Sequence, residues 1–175
     1  MKRFITMGSI EQFSTVIKNV KRTAQFVSYN EETKEVTVDR DAKMPVITAT
    51  GSEKIHGTNA GFSYNEIDGE WYQSRKNIIT PEKDNAGCAF FLNSKKDIFI
   101  ETIKKIAEIN DIDLNIKGIV LFGEWAGGNI QKKSALTGLN KKFIVFQYAK
   151  VYNIEQTLDK NSEEEANYWI ETKLS

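Results

Sequence analysis

The sequence predicts an α+β fold: a mainly antiparallel sheet with flanking helices. Three observations carry this expectation. Short β-rich and compact apolar runs recur between turn residues. Two of these runs flank Asp68-Gly69, a dipeptide that suits a tight hairpin turn. Other stretches, separated from the strand-like ones, space their apolar residues three and four apart, the period of an amphipathic helix.

The elements follow in chain order. Ser9 and Gln12 have the spacing of a capping box, and Ile10, Phe13, Val16, Ile17 and Val20 continue it as a helix over residues 9–22. Val36-Thr37-Val38 and Val46-Ile47-Thr48-Ala49-Thr50 read as strands, being rich in β-branched residues. Residues 60–65 and 70–75 form the hairpin pair. Ser94, with Asp97 three residues on, suits the start of a helix whose Phe99, Ile103, Ile106 and Ile109 make one apolar stripe ending near Asn110. Ile119-Val120-Leu121-Phe122 and Phe143-Ile144-Val145-Phe146 read as buried strands, separated by a glycine-rich basic loop. Ser162 and Glu165 repeat the capping-box spacing and open a last helix over 162–173, through Trp169 and Ile170. No repeat or linker divides the 175 residues, so one domain over 1–175 is expected, with motif-bearing residues in 45–151.

Composition narrows the function. Lysine plus arginine and aspartate plus glutamate both number 24, which excludes an overall basic field and makes any phosphate recognition local. Cys88 is the single cysteine, so neither an intramolecular disulfide nor a cysteine-based zinc site is available. The basic start Met1-Lys2-Arg3 is not followed by an apolar signal core, and no stretch is long and apolar enough to span a membrane; a cytoplasmic location is expected.

The chemistry centres on Glu53-Lys54-Ile55-His56-Gly57-Thr58-Asn59. A lysine becomes nucleophilic where burial or neighbouring positive charge disfavours its ammonium. In extended backbone Lys54 and His56 share one side and Ile55 turns to the other, while Gly57 lets the chain bend closely around a ligand. Lysine before a turn glycine is by itself usually a solvated side chain. The whole string is more specific: it resembles motif I of the RNA ligase 2 family of covalent nucleotidyltransferases. Gln73-Ser74-Arg75, Phe122-Gly123-Glu124-Trp125-Ala126-Gly127, Ile130-Gln131-Lys132 and Phe143-Ile144-Val145-Phe146 continue the resemblance in order.

The resemblance implies a nucleotidyltransferase domain of the ATP-grasp-like ligase type and an ATP-dependent RNA ligase of phage or bacterial kind, acting in RNA repair. Lys54 would be the nucleophile that carries AMP as lysyl-AMP. Glu53 and Ile55 would line the adenine pocket, and His56 would act near the phosphates, with Asn59 also among the nucleotide-binding residues. Arg75 would hold a phosphate or the RNA 5′ end, and Glu124 the ribose hydroxyls. Phe146 would stack on adenine, with Phe143 as its packing partner, and Trp125 would pack rather than react. Lys132 and Lys133 could contact RNA phosphates, or simply be a solvated basic loop. ATP and Mg2+ are the implied cofactors, and RNA with 5′-phosphate and 3′-hydroxyl ends the implied partner.

Family members continue with a Glu-Gly strand and a Lys-x-Lys strand. Here Gly138 is the last glycine, and after Phe146 only Lys150, Lys160 and Lys173 remain, none two apart. The domain is therefore expected to be incomplete at its C-terminal side, a missing segment or second chain supplying the rest. The alternative is a non-catalytic nucleotide- or RNA-end-binding domain that retains the fold.

Overall fold

The computed structural model describes residues 2–8, 12–51, 54–84, 86–132, 134–155 and 167–172. Where the sequence suggests one domain, the chain gathers into two compact units, Gly8–Glu53 and a larger one formed by Met1–Met7 with Lys54–Ser175. No helix among the described residues is long and apolar enough to cross a membrane.

In the smaller unit, α1 (Phe13–Gln25) runs directly into β1 (Phe26–Tyr29), which pairs antiparallel with β2 (Val36–Val38). The helix starts four residues later than the capping pattern suggests and runs three residues further; Gln12 is its N-cap without a side-chain hydrogen bond, and Ser9 lies outside the described residues. The β1–β2 turn is closed by Asn30, whose Oδ1 accepts the N–H groups of Glu32 and Thr33. Val46–Thr50 is not a strand. Its β-branched residues find no partner among the described residues, and Val46 is 95% exposed, so propensity alone did not produce pairing.

The larger unit is organised by a six-stranded, wholly antiparallel sheet. Its strands are β3 (Thr58–Asn65), β4 (Gly69–Ser74), β5 (Ile78–Ile79), β6 (Lys117–Ala126), β7 (Lys142–Asn153) and β8 (Tyr168–Glu171), in the order β5-β4-β3-β6-β7-β8. The β3–β4 hairpin turns where expected. Asn65 Oδ1 accepts from the N–H groups of Ile67 and Asp68, and Gly69 takes the positive φ of 71° that a side chain disfavours. Helices α2 (Cys88–Ser94) and α3 (Lys96–Ile109) follow β5. Ser94 does not cap α3. It ends α2, donating its hydroxyl to the Phe91 carbonyl, and Lys95 is the N-cap of α3. The helix expected over 162–173 is corrected in its described part: Tyr168–Glu171 pairs with β7, where aromatic and β-branched residues meet an open strand edge; Ser162 and Glu165 lie outside the described residues.

Period-2 alternation divides the sheet's side chains between two apolar clusters. One face carries Ala60, Phe62, Tyr64, Ile119, Leu121 and Trp125 and is covered by Leu92 of α2 and Ile103 and Ile106 of α3. Phe62 stacks on Phe99 there, centroids 5.0 Å apart. The other face carries Trp71, Val120, Phe122 and Tyr152, and its cover is Ile5 of the N-terminal segment.

That segment is tied down by polar contacts rather than by strand pairing. Buried Gln73 binds both backbone groups of Ile5, accepting its N–H at 3.1 Å and donating to its carbonyl at 2.7 Å. Trp71 Nε1 donates to the Arg3 carbonyl, the Arg3 guanidinium lies over the Tyr152 ring, and Lys150 Nζ donates to the Thr6 carbonyl. Residues 2–7 thus form a strap across the middle of this face.

Candidate active site

The segment that carries Lys54 enters the sheet at Gly57, and the packing there leaves room for glycine alone. A Cβ at this position would lie 2.3 Å from the Trp125 carbonyl oxygen and 2.9 Å from Ala126 Cβ. The close approach lets the Gly57 N–H donate to Glu124 Oε1 at 2.9 Å, while the Gly57 carbonyl accepts from Gln131 Nε2 at 3.1 Å. One residue is therefore clamped on both backbone groups, by the end of β6 and by the β6–β7 loop. Upstream, Lys54 and His56 are exposed and Ile55 is half-buried, the alternation of an extended run.

Register then gathers the expected residues on one face. Asn59 pairs with Glu124, and Glu124 with Ile144. Residues paired across antiparallel strands share a face, so Asn59 and Glu124 stand on the strap side, the side of Phe122. Asn59 Nδ2 donates to Met7 Sδ at the end of the strap. Phe146 packs on the same cluster. It sits in a bulge: between the pairs Leu121↔Ala149 and Gly123↔Val145, the single residue Phe122 faces Phe146, Gln147 and Tyr148. Extra residues in one strand bend it and re-aim its side chains. Phe143 is not the partner of Phe146. It lies on the opposite face, its ring 5.7 Å from that of Phe99 and edge-on to it. Trp125 also points to the helix side, 99% buried, its Nε1 donating to the Ala86 carbonyl and its ring 5.0 Å from that of Phe91.

Arg75 occupies a second place. It is exposed in the β4–β5 turn, whose ends are joined by the Ser74 N–H donating to the Asn77 carbonyl at 2.8 Å. With Thr58, Lys76 and Lys83 it lines an open cleft of about 760 Å³. Asp84 also lines that cleft, but its carboxylate accepts the Ala89 and Phe90 N–H groups at the start of α2. Thr58 joins the two places, as it follows Gly57 and lines the cleft. Glu124 and Phe146 do not line it.

Lys132 is exposed in the β6–β7 loop, which closes on itself through Gly128 N–H to the Leu139 carbonyl and Gly138 N–H to the Gly128 carbonyl. Glu53 and Lys133 lie outside the described residues. Sequence reasoning missed three participants. Gln131 had a signal, standing within a matched string, whereas Met7 and Lys83 had none, being brought in by the strap and by the turn before α2.

No curated protein matches the chain. A sequence model of the RNA ligase family matches residues 48–173, a span that holds Lys54, Arg75, Glu124 and Phe146. With more than half of its length so matched, the chain belongs to the RNA ligase family.

Proposed function

We propose that this chain is an ATP-dependent RNA ligase that carries AMP on Lys54 and delivers it to an RNA 5′-phosphate. The observation that supports the reading best is the hydrogen bond from Gly57 to Glu124, which fixes the nucleophile segment against the carboxylate that would hold the nucleotide. Glu124 uses Oε1 on Gly57 and keeps Oε2 for a ribose hydroxyl. Phe146 offers a π face on the same side for adenine. Arg75, with Lys76 and Lys83, offers positive charge to a phosphate in the adjoining cleft.

In the first step the unprotonated Lys54 amine attacks the α-phosphorus of ATP; the P–N bond forms, pyrophosphate leaves with the broken P–O bond, and the amine loses a proton. An RNA 5′-phosphate oxygen then displaces the lysine, and an RNA 3′-hydroxyl displaces AMP. A divalent cation such as Mg2+ neutralises charge on the phosphates when bound. Among the described residues no group of three His, Cys, Asp or Glu is arranged to hold a metal.

Incubation with ATP labelled at the α-phosphate and Mg2+, then denaturing electrophoresis, tests this directly. Label is expected on the unmutated chain and not on Lys54→Ala. A chain that takes no label but binds RNA ends would instead be the non-catalytic binding domain.

A further inference from the structure

The strap covers only part of its face. Beyond it, where β7 pairs with β8, two large aromatic side chains stand in water: Tyr148, 50% exposed, and Trp169, 44% exposed. Trp169 packs one side of its ring toward Phe122, centroids 5.8 Å apart, which places it on the strap side of the sheet. Lys150 pairs with Trp169 and holds its ammonium 5.9 Å from the indole centroid while donating to the Thr6 carbonyl. Tyr148 pairs with Glu171 two residues along, so by register it stands on the same side, diagonal to Trp169. Two residues before the bulge, Ile144 shares that side with Glu124, and exposed Lys142, paired with Ala126, continues the row. One side of β7 therefore runs from a lysine at the candidate site, through Phe146 and Tyr148, to a lysine that steadies Trp169.

Half-exposed aromatic side chains bracketed by ammonium groups match single-stranded nucleic acid, whose bases stack on aromatics in any sequence while its phosphates seek cations. A polypeptide interface fits less well, because Gln147, Lys150 and Glu171 interrupt the apolar surface and the Glu171 carboxylate already accepts from Gln147 Nε2. We propose that Tyr148 and Trp169 form a stacking platform for consecutive bases of the RNA strand whose end lies at the Lys54–Glu124 site, with Lys142 on its backbone. The assignment rests on the ligase reading for that direction of the strand, but base stacking itself is measured without catalysis.

Trp71 and Trp125 are 3% and 1% exposed, so Trp169 is the tryptophan that added bases can reach. Titration with a uridine decamer and an adenosine decamer at low salt is expected to quench tryptophan fluorescence saturably. Trp169→Phe, which keeps a ring against Phe122, should abolish the quenching. Tyr148→Ala should weaken binding of a fluorescein-labelled decamer roughly tenfold or more, with circular dichroism unchanged, and Tyr148→Phe should restore it. Unchanged affinity in Tyr148→Ala, or no quenching at saturating RNA, overturns the platform. So does sedimentation showing a dimer that Tyr148→Ala dissociates, since the flank would then be a protein interface. A chain that labels on Lys54 but fails these titrations loses the platform alone; one that passes them without labelling loses catalysis alone.

Discussion

The two faces of the six-stranded sheet are built by different means. The helix side is closed by apolar volume: Phe62, Leu121 and Trp125 meet Leu92, Ile103 and Ile106 with almost no water access. The strap side is closed over its middle by a short extended segment held through Gln73, Trp71 and Lys150, and beyond the strap it carries Asn59, Glu124, Phe146, Tyr148 and Trp169. The difference shows where stability and chemistry can be separated. A face filled by helices has no space for a ligand, whereas a face closed by a narrow strap leaves the strand ends free to present polar groups.

Substitutions on the two faces should therefore fail in different ways. Phe62→Ala removes a fully buried ring against Phe99 and Tyr72 and should cost about 3–5 kcal/mol, read as a lower urea midpoint. A cost below about 1 kcal/mol would show that the helix side is not the main source of stability. Glu124→Ala should do the reverse: lysine adenylylation falls about a hundredfold or more while the midpoint moves little, because the lost partner holds the Gly57 amide and, under the proposed function, the nucleotide rather than the core. Glu124→Gln, which keeps an acceptor for Gly57, should lose less.

Gln73→Leu probes the strap itself. It leaves the Ile5 N–H and carbonyl without their side-chain partner and should cost about 1–3 kcal/mol. Protection of the Ile5 amide from hydrogen exchange should fall with it, and unaltered protection would mean the strap is held by packing alone. The smallest effect concerns the rim of the helix side. Hydrogen bonds from Lys104 and then from Tyr64 hold the Glu66 carboxyl below its ordinary value of 4.5. A carboxyl lowered in the folded state contributes stability that is present above 4.5 and is lost as pH falls through the folded value. The midpoint difference between the unmutated chain and Glu66→Gln should be small at pH 7 and shrink as pH falls below 4.5; a difference that does not shrink with acid would assign it to packing.

Much of this was legible in the sequence where the signal is local. The β3–β4 hairpin announced itself through Asp68-Gly69, α3 through its stripe ending at Asn110, and β6 and β7 through compact apolar runs. Elements set by partners distant in the chain were not. Val46–Thr50 has strand composition without a strand beside it, while Tyr168–Glu171 follows a capping pattern yet pairs with β7. Helix α2 has seven residues, too few for a period, and its first turn is satisfied by Asp84 from outside the helix. At the site, Gly57, Asn59 and Glu124 stand in the strings that carry the family resemblance, and their closeness comes from the β3–β6 register and the Gly57 hydrogen bond. The bulge at Phe146 and the Gln131 contact to Gly57 depend on three-dimensional closure that no spacing encodes.

The division of the chain has a consequence for how it can be re-engineered. The larger unit is interrupted after Met7 and resumes at Lys54. Met7 touches Asn59, five residues beyond Lys54, so exit and re-entry points are separated by no more than the reach of that short stretch, about 18 Å, plus one side-chain contact. The intervening 8–53 unit is topologically a guest in its host, attached at two nearby points of one body. Such a guest can be lengthened, exchanged or cut back to a flexible bridge without re-threading the host sheet, and a graft at this location ends immediately before Lys54.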